Sequence, residues 1–427
     1  MKQLTLSPIK LLAGEVTLPG SKSLSNRALL LASLASGATT LTNLLRSEDT
    51  QAMVSAIRQL GVALELSHNG QHCHIQGNGG LFDTPANPEF SLGNAGTAIR
   101  PLTAILSLIP GEFVIDGDQY MRERPIAHLI DALRTLGARA SYAGKDGCPP
   151  IQLTGGLLNG GDLSIRGDIS SQYLTALLMA LPLSRRKSTI SIDGEQVSKP
   201  YLDITLGIMA DFGVDASHQD YKVFQIEGNQ TYQSPGNYLI EGDASSASYF
   251  FGAAAINRGS IRVHGLGKNS VQGDFLFLDT IEQMGATVVR SDNWVDVSGG
   301  ELRGVDVDLN HIPDAAMTIA AMALFAKGKT VIRNIYNWRV KETDRMHAMA
   351  EGLTRLGAKV LTESDTIIIE PPDAIHAATI NTYGDHRVAM SFSLAAFGGA
   401  PITINDPECT KKTFPDYFDI FDSVSVR

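Results

Sequence analysis

The chain has 427 residues, 43% of them hydrophobic, with a mean hydropathy near zero, which is too long for one ordinary core and predicts at least two domains. A net charge of −10 argues against nucleic acid or an anionic membrane as partner, since both want a basic surface. No apolar run of about 18 residues or a signal-peptide core is present, so a soluble, cytoplasmic protein is expected, and Cys73, Cys148 and Cys409, far apart and without CxxC spacing, are expected as free thiols.

The first predicted helix follows a strand that breaks at Pro19-Gly20. Ser21, Lys22, Ser23, Ser25 and Arg27 crowd its first turn, where free N–H groups and the helix dipole favour an anion, and Ala28 to Ala35 is almost unbroken apolar sequence. Alone, such a stretch reads as a capped core helix with solvated cations. Here the pattern repeats. Leu60-Gly61-Val62, Leu136-Gly137-Ala138, Phe212-Gly213-Val214, Met284-Gly285-Ala286 and Leu356-Gly357-Ala358 place glycines 76, 76, 72 and 72 residues apart, and each suits the left-handed position after a helix. His72-Cys73-His74 lies in one predicted strand with no carboxylate to complete a metal set.

Each repeat runs polar junction, apolar helix, strand, second junction, two-faced helix, glycine, strand. The first helices are predicted over 26–36, 97–108, 172–181, 246–256, 315–326 and 387–397, apolar nearly all round and therefore buried. The second kind is illustrated by 50–60, where Met53, Ala56, Ile57 and Leu60 form one stripe and Gln51, Ser55, Arg58 and Gln59 face out. The sixth repeat reaches the C-terminus without a last strand, so the N-terminal strands in LTLSP and EVTL are expected to complete it. That division gives one lobe from 1–20 and 241–427, a second from 21–240, three repeats in each, and a cleft between them. A repeat scaffold that only binds is the competing class. The charged helix starts disfavour it, because they sit directly before wholly apolar helices and so converge on an interior edge.

Those starts are Ser21-Lys22-Ser23, Asn94-Ala95-Gly96-Thr97, Ser170-Ser171-Gln172, Asp243-Ala244-Ser245-Ser246, Asp314 and Asp385-His386-Arg387. The second junctions add Arg122, Arg124, Ser198-Lys199-Pro200-Tyr201, Asn337 to Arg345, and Lys411-Lys412. Together, Lys22, Arg27, Arg100, Arg124, Lys341, Arg345, Arg387 and Lys412 suit a multiply anionic ligand. Singly, each has a plainer role; Asp314, for instance, would ordinarily be a helix N-cap. Neither a P-loop nor a GxGxxG fingerprint is present.

The motifs LPGSKSLSNRALLLASL (18–34), LGNAGTAIRPL (92–102), RPIAHLIDALR (124–134), SSQYLTALLMALPL (170–183), PDAAMTIAAMALFAKG (313–328), NWRVKETDR (337–345) and DHRVAM (385–390) resemble, along the whole chain, the 5-enolpyruvylshikimate-3-phosphate synthase family of enolpyruvyl transferases. The resemblance implies an α/β (α+β) fold of six βαβαββ units, three per lobe, with helices inside and sheets outside. It implies transfer of the enolpyruvyl group of phosphoenolpyruvate to the 5-hydroxyl of shikimate 3-phosphate by addition and elimination, in the shikimate route to chorismate and the aromatic amino acids, with glyphosate as an inhibitor. Lys22, Ser23, Arg27, Ser170, Ser171, Gln172, Ser198, Tyr201, Asp314, Asn337 and Lys341 are the implied shikimate 3-phosphate contacts. Lys22, Asn94, Gly96, Arg124, Gln172, Arg345, His386, Arg387 and Lys412 form the implied phosphoenolpyruvate pocket. Asp314 is the implied base for the 5-hydroxyl, Glu342 the implied acid toward the methylene carbon, and Lys22 the third catalytic group.

No cofactor or metal is expected, and a monomer is. The lobes are expected to close on shikimate 3-phosphate, with Trp338 as a fluorescent reporter. The sister UDP-N-acetylglucosamine enolpyruvyl transferase typically carries a loop cysteine before its Arg-Pro, whereas residues 117–125 hold none. The RNA 3′-phosphate cyclase class is disfavoured by the acidic charge.

Overall fold

In a computed structural model that describes residues 2–82, 85 and 87–427, the chain divides into two compact units, Met1–Pro19 with Glu241–Arg427, and Gly20–Ile240. Among the described residues twelve α-helices organise them: α1 (Lys22–Leu34), α2 (Glu48–Gln59), α3 (Gly96–Leu106), α4 (Ala127–Thr135), α5 (Ser171–Ala180), α6 (Pro200–Asp211), α7 (Ala244–Ile256), α8 (Phe277–Met284), α9 (Ala316–Met322), α10 (Arg345–Arg355), α11 (His386–Ser393) and α12 (Tyr417–Ser423). Among the described residues none is long and apolar enough to cross a membrane.

The odd-numbered helices are the buried ones. In α1 all but Ser23 is buried, and in α7 the whole helix is. Helices with no polar face can persist only where neighbours cover every side, which α1, α3 and α5 provide for one another in one unit and α7, α9 and α11 in the other. The even-numbered helices keep a wet face: α2 buries Met53, Ala56 and Ile57 and exposes Gln51, Ser55 and Arg58. Gly61, Gly137, Gly213, Gly285 and Gly357 all have φ between 76° and 112°, so the five regularly spaced glycines do end their helices in the left-handed region.

Helices α3, α5, α9 and α11 each join two parallel strands, as a parallel pair requires, whereas α1 and α7 link strands of different sheets. Around α5, Asp162–Arg166 runs parallel to Ser188–Asp193, and Val223–Ile226 and Ala216–Gln219 follow antiparallel. Their side chains alternate: Leu163, Ile165, Ile190 and Ile192 point inward while Ser164, Arg166, Ser191 and Asp193 are exposed, the pattern of a sheet with one face on a core and one in water. Two further four-stranded sheets complete this unit, and the other unit holds sheets of three, four and five strands. The architecture is thus α/β, with helices at the core of each unit and sheets covering them.

The terminal strands correct one expectation. Gln3–Leu6 does join the sixth repeat, antiparallel to Ile402–Asn405. Leu11–Thr17, which contains the EVT of the second predicted strand, instead runs parallel to Ser260–His264 in the fourth repeat. Nor does the chain end without a strand, because Ser425–Val426 pairs with Leu11-Leu12. In the other unit Asn237–Leu239 plays the corresponding part, running parallel to Ser36–Thr42 in the first repeat.

Candidate active site

In the Glu241–Arg427 unit the site is a knot of buried ion pairs. Arg345, the first residue of α10 and 1% exposed, is its centre. Its Nη1 donates to Asp314 Oδ1 at 2.6 Å, Nη2 to Glu342 Oε2 at 2.9 Å and Nε to Asp385 Oδ2 at 2.8 Å. Burial alone would weaken this guanidinium's hold on its proton, but Asp385, Glu342 and Asp314 raise it above the usual arginine range. Asp314 takes two more cations: Arg387 Nη2 lies 2.9 Å from Oδ2 and Lys341 Nζ 3.9 Å from Oδ1. Burial pushes the Asp314 carboxyl toward its neutral form, yet Arg387, Lys341 and Arg345 together hold it well below the usual carboxylate range. Lys412 Nζ lies 3.8 Å from Glu342 Oε1.

Local folding supplies these positions. Asp385 caps α11 by accepting from the Arg387 backbone N–H, which sets His386 and Arg387 on the first turn, both nearly inaccessible. Asp314, by contrast, is not a cap: the residue before α9 is Ala315, with no side-chain cap bond. Asn337 and Lys341 lie in and just after a single turn, Tyr336–Val340, fastened by the Trp338 indole N–H, which donates to Pro313 O at 2.6 Å. Trp338 is fully buried. It is therefore a strut behind Asp314.

The Gly20–Ile240 unit gathers cations among neutral oxygens. Lys22 opens α1 at 7% exposure, with Nζ 3.7 Å from Asp49 Oδ2, so it is no solvated helix-start lysine. Arg27 donates to Thr205 Oγ1 at 2.9 Å, to Ser23 O at 3.0 Å and to Tyr201 O and Thr175 Oγ1 at longer range; burial draws its pKa down to about 10. Arg124 donates to Asn94 Oδ1 at 2.8 Å and to Asn94 O. Gly96 begins α3 in a tight corner, since a Cβ there would lie 2.6 Å from Arg100 Nη1 and 2.7 Å from Arg124 Nη2. Arg100 bonds the carbonyls of Gly96 and Pro125. Ser170 caps α5 through the Gln172 N–H, placing Ser171 and Gln172 on its first turn. Ser198 holds φ at 55°, a conformation serine rarely adopts, just before α6 and Tyr201.

Thus Asp314, Asn337, Lys341, Glu342, Arg345, His386, Arg387 and Lys412 fall in one unit, and Lys22, Ser23, Arg27, Asn94, Gly96, Arg124, Ser170, Ser171, Gln172, Ser198 and Tyr201 in the other. Sequence reasoning missed Asp49 as the partner of Lys22 and Tyr249, whose hydroxyl lies 3.3 Å from Arg387 Nη1. It also passed over Asp385 as more than a helix start. Asp49 sits one position inside α2 and Tyr249 one turn inside α7, where an isolated acid or phenol carries no signal. Among the described residues no group of His, Cys, Asp and Glu has the arrangement of a metal site. Cys73, Cys148 and Cys409 are free, and burial pushes each thiol up, those of Cys73 and Cys409 to about 12, which removes them as nucleophiles at neutral pH.

The chain is 57% identical over 419 residues to a 3-phosphoshikimate 1-carboxyvinyltransferase of Photobacterium profundum, covering 98% of each chain. It is 56% identical to that of Vibrio cholerae serotype O1 (strain M66-2), covering all of both. Among solved structures, an EPSP synthase from Acinetobacter baumannii superposes with a TM-score of 0.85 at 28% identity, over 100% of this chain and 99% of that one. The enolpyruvyl transferase NikO from Streptomyces tendae shares the fold, with a TM-score of 0.78 at 17% identity, over 99% and 97%. The profile of EPSP synthase (3-phosphoshikimate 1-carboxyvinyltransferase) matches residues 6–421, and with relatives more than half identical from end to end, the chain belongs to the EPSP synthase family.

Proposed function

We propose that the chain transfers the enolpyruvyl group of phosphoenolpyruvate to the 5-hydroxyl of shikimate 3-phosphate and releases phosphate. Asp314 takes the hydroxyl proton as the 5-oxygen bonds to C2 of phosphoenolpyruvate, and Glu342 gives a proton to C3, making a methyl group and a tetrahedral intermediate. Return of a proton from that methyl to the Glu342 carboxylate, with departure of phosphate from C2, restores the double bond in the product. Lys22, Arg124, Arg387 and Lys412 meet the charge of phosphoenolpyruvate and of the leaving phosphate. His386, Asn94, Gly96, Gln172 and Arg345 are further contacts of phosphoenolpyruvate. Ser23, Arg27, Ser170, Ser171, Ser198, Tyr201, Asn337 and Lys341 hold shikimate 3-phosphate.

The observation that carries this reading is the Arg345 fork. One guanidinium bonds Asp314 through Nη1 and Glu342 through Nη2, so the two carboxyl groups that would move protons in sequence are fixed side by side by a group that itself stays charged. The ionised state of Asp314 suits an acceptor of the hydroxyl proton.

The test is incubation of the protein with phosphoenolpyruvate and either shikimate 3-phosphate or UDP-N-acetylglucosamine, with no added metal, following phosphate release and the product's vinyl protons. Release with shikimate 3-phosphate alone is the expected result. Release only with the sugar nucleotide, or with neither acceptor, would overturn the reading. The sugar-nucleotide arm is already disfavoured by the cysteine-free segment at 117–125.

A further inference from the structure

A buried carboxyl group that the reaction does not use packs against the first turn of α7. Asp274 sits in the turn Gly273–Leu276 before α8 and is 6% exposed. Its Oδ2 accepts from Ser245 Oγ, while its Oδ1, buried, has no hydrogen-bond partner among the described residues. Ser245 lies on the first turn of α7, and one turn further the Tyr249 hydroxyl meets Arg387 Nη1. Arg387 Nη2 in turn holds Asp314. Asp274 and Arg387 thus meet the same face of α7 one turn apart, at Ser245 and Tyr249, and the charges acting on Asp274 are those of Asp314, Arg387 and Asp243 at the start of α7.

An ionised carboxylate in that position would leave a buried oxygen unsatisfied, at a cost that a neutral carboxyl avoids. It would also place a second negative charge beside one guanidinium already committed to Asp314. We propose that Asp274 is a positioning residue for the Asp314–Arg387 pair: while it is neutral Arg387 is left to Asp314 and to the anionic substrate, and when it ionises it competes for Arg387 and weakens phosphoenolpyruvate binding. Burial first, then Asp314, raises the Asp274 carboxyl to about 7, against the pull of Arg387 and the Ser245 bond, so the competition begins near neutral pH. The inference rests on the enolpyruvyl-transfer reading for its assay.

The experiment is the pH dependence of KM for phosphoenolpyruvate, at saturating shikimate 3-phosphate, in the full-length protein and in Asp274→Asn, which keeps the shape and the Ser245 contact without a titrating proton. The wild type is expected to show KM rising by about fivefold or more between pH 6 and 8.5, on the scale of one coupled site, with kcat changing less. Asp274→Asn should flatten that rise. The same rise in Asp274→Asn as in the wild type would overturn the proposal, as would a flat wild-type profile. Ser245→Ala supplies an independent reading should Asp274→Asn not fold: removing a donor that favours the carboxylate should move the KM rise to higher pH, and an unmoved rise counts against the proposal. Asp314→Asn assayed alongside separates the two failures, since full turnover there would sink the role of Asp314 and not that of Asp274.

Discussion

Arg27 and Arg345 are both buried guanidiniums near the start of a helix, one in each unit, and their surroundings are opposite. Arg27 meets hydroxyl and carbonyl oxygens, and burial draws its pKa down to about 10. Arg345, equally buried, meets three carboxylates and is raised above its ordinary range. The same contrast runs through both clusters. In Gly20–Ile240, Arg124 bonds Asn94 and Arg100 bonds backbone carbonyls, so positive charge is held mostly by neutral oxygens, Lys22 beside Asp49 being the exception. In Glu241–Arg427, Lys341, Arg387 and Lys412 each lie within ion-pair distance of Asp314 or Glu342. A cation held by neutral oxygens keeps its field for an incoming anion, whereas carboxylates held by cations are fixed at places where protons can be exchanged. The unit rich in neutral partners is suited to binding phosphate and carboxylate groups, and the charge-balanced unit to moving protons.

Three substitutions break this contrast, in descending order of effect. Asp314→Asn removes the proposed proton acceptor while keeping its volume. Turnover should fall by about 10²–10⁴-fold, the usual worth of a positioned base, with KM values altered far less. Steady-state kinetics retaining more than half the normal kcat would show that the paired carboxylates are structural.

Lys22→Ala tests the opposite unit. Loss of a charge aimed at the departing phosphate should cost about 10²–10³-fold in kcat. The substitution also strands the buried Asp49 carboxylate, so thermal denaturation should show a loss of about 3 kcal/mol. Adding Asp49→Asn should restore most of that stability and none of the turnover. Recovery of both together would mean that Lys22 matters only as the partner of Asp49.

Gly96→Ala probes the neutral side most gently. The new methyl would press on Arg100 Nη1 and Arg124 Nη2, the mobile ends of long side chains, so a shift of Arg124 should absorb much of the roughly 1–3 kcal/mol of overpacking. Glyphosate, longer than phosphoenolpyruvate, should lose at least about tenfold in inhibition. Because Arg124 itself is displaced, the KM for phosphoenolpyruvate should rise too, by a smaller factor. Equal losses for both ligands, or none, would show that Gly96 serves only the backbone.

The parts of the molecule that were legible in the sequence are those whose cause lies within a few residues. An apolar run such as Ala28 to Ala35 can be nothing but a buried helix, the stripe of Met53, Ala56, Ile57 and Leu60 can face only a core, and Gly61 and its four counterparts end helices where a side chain would be strained. Their even spacing exposed the repeat, and motifs at the helix starts led to the family. What the tertiary structure alone decided is who meets whom. Two terminal segments of similar β character went to different sheets, because a strand's partner is chosen by the edge left open in the assembled unit and not by its own residues. Asp314 became the hub of three cations instead of a helix cap, and Trp338 a buried strut behind it. Asp49, Tyr249, Asp274 and Asp385 acquired their roles only when α2, α7, the turn before α8 and α11 brought them to Lys22, Arg387, Ser245 and Arg345, respectively. Ion pairing decays within a few ångströms but is indifferent to separation along the chain, so a charge's partner is a property of the packed fold.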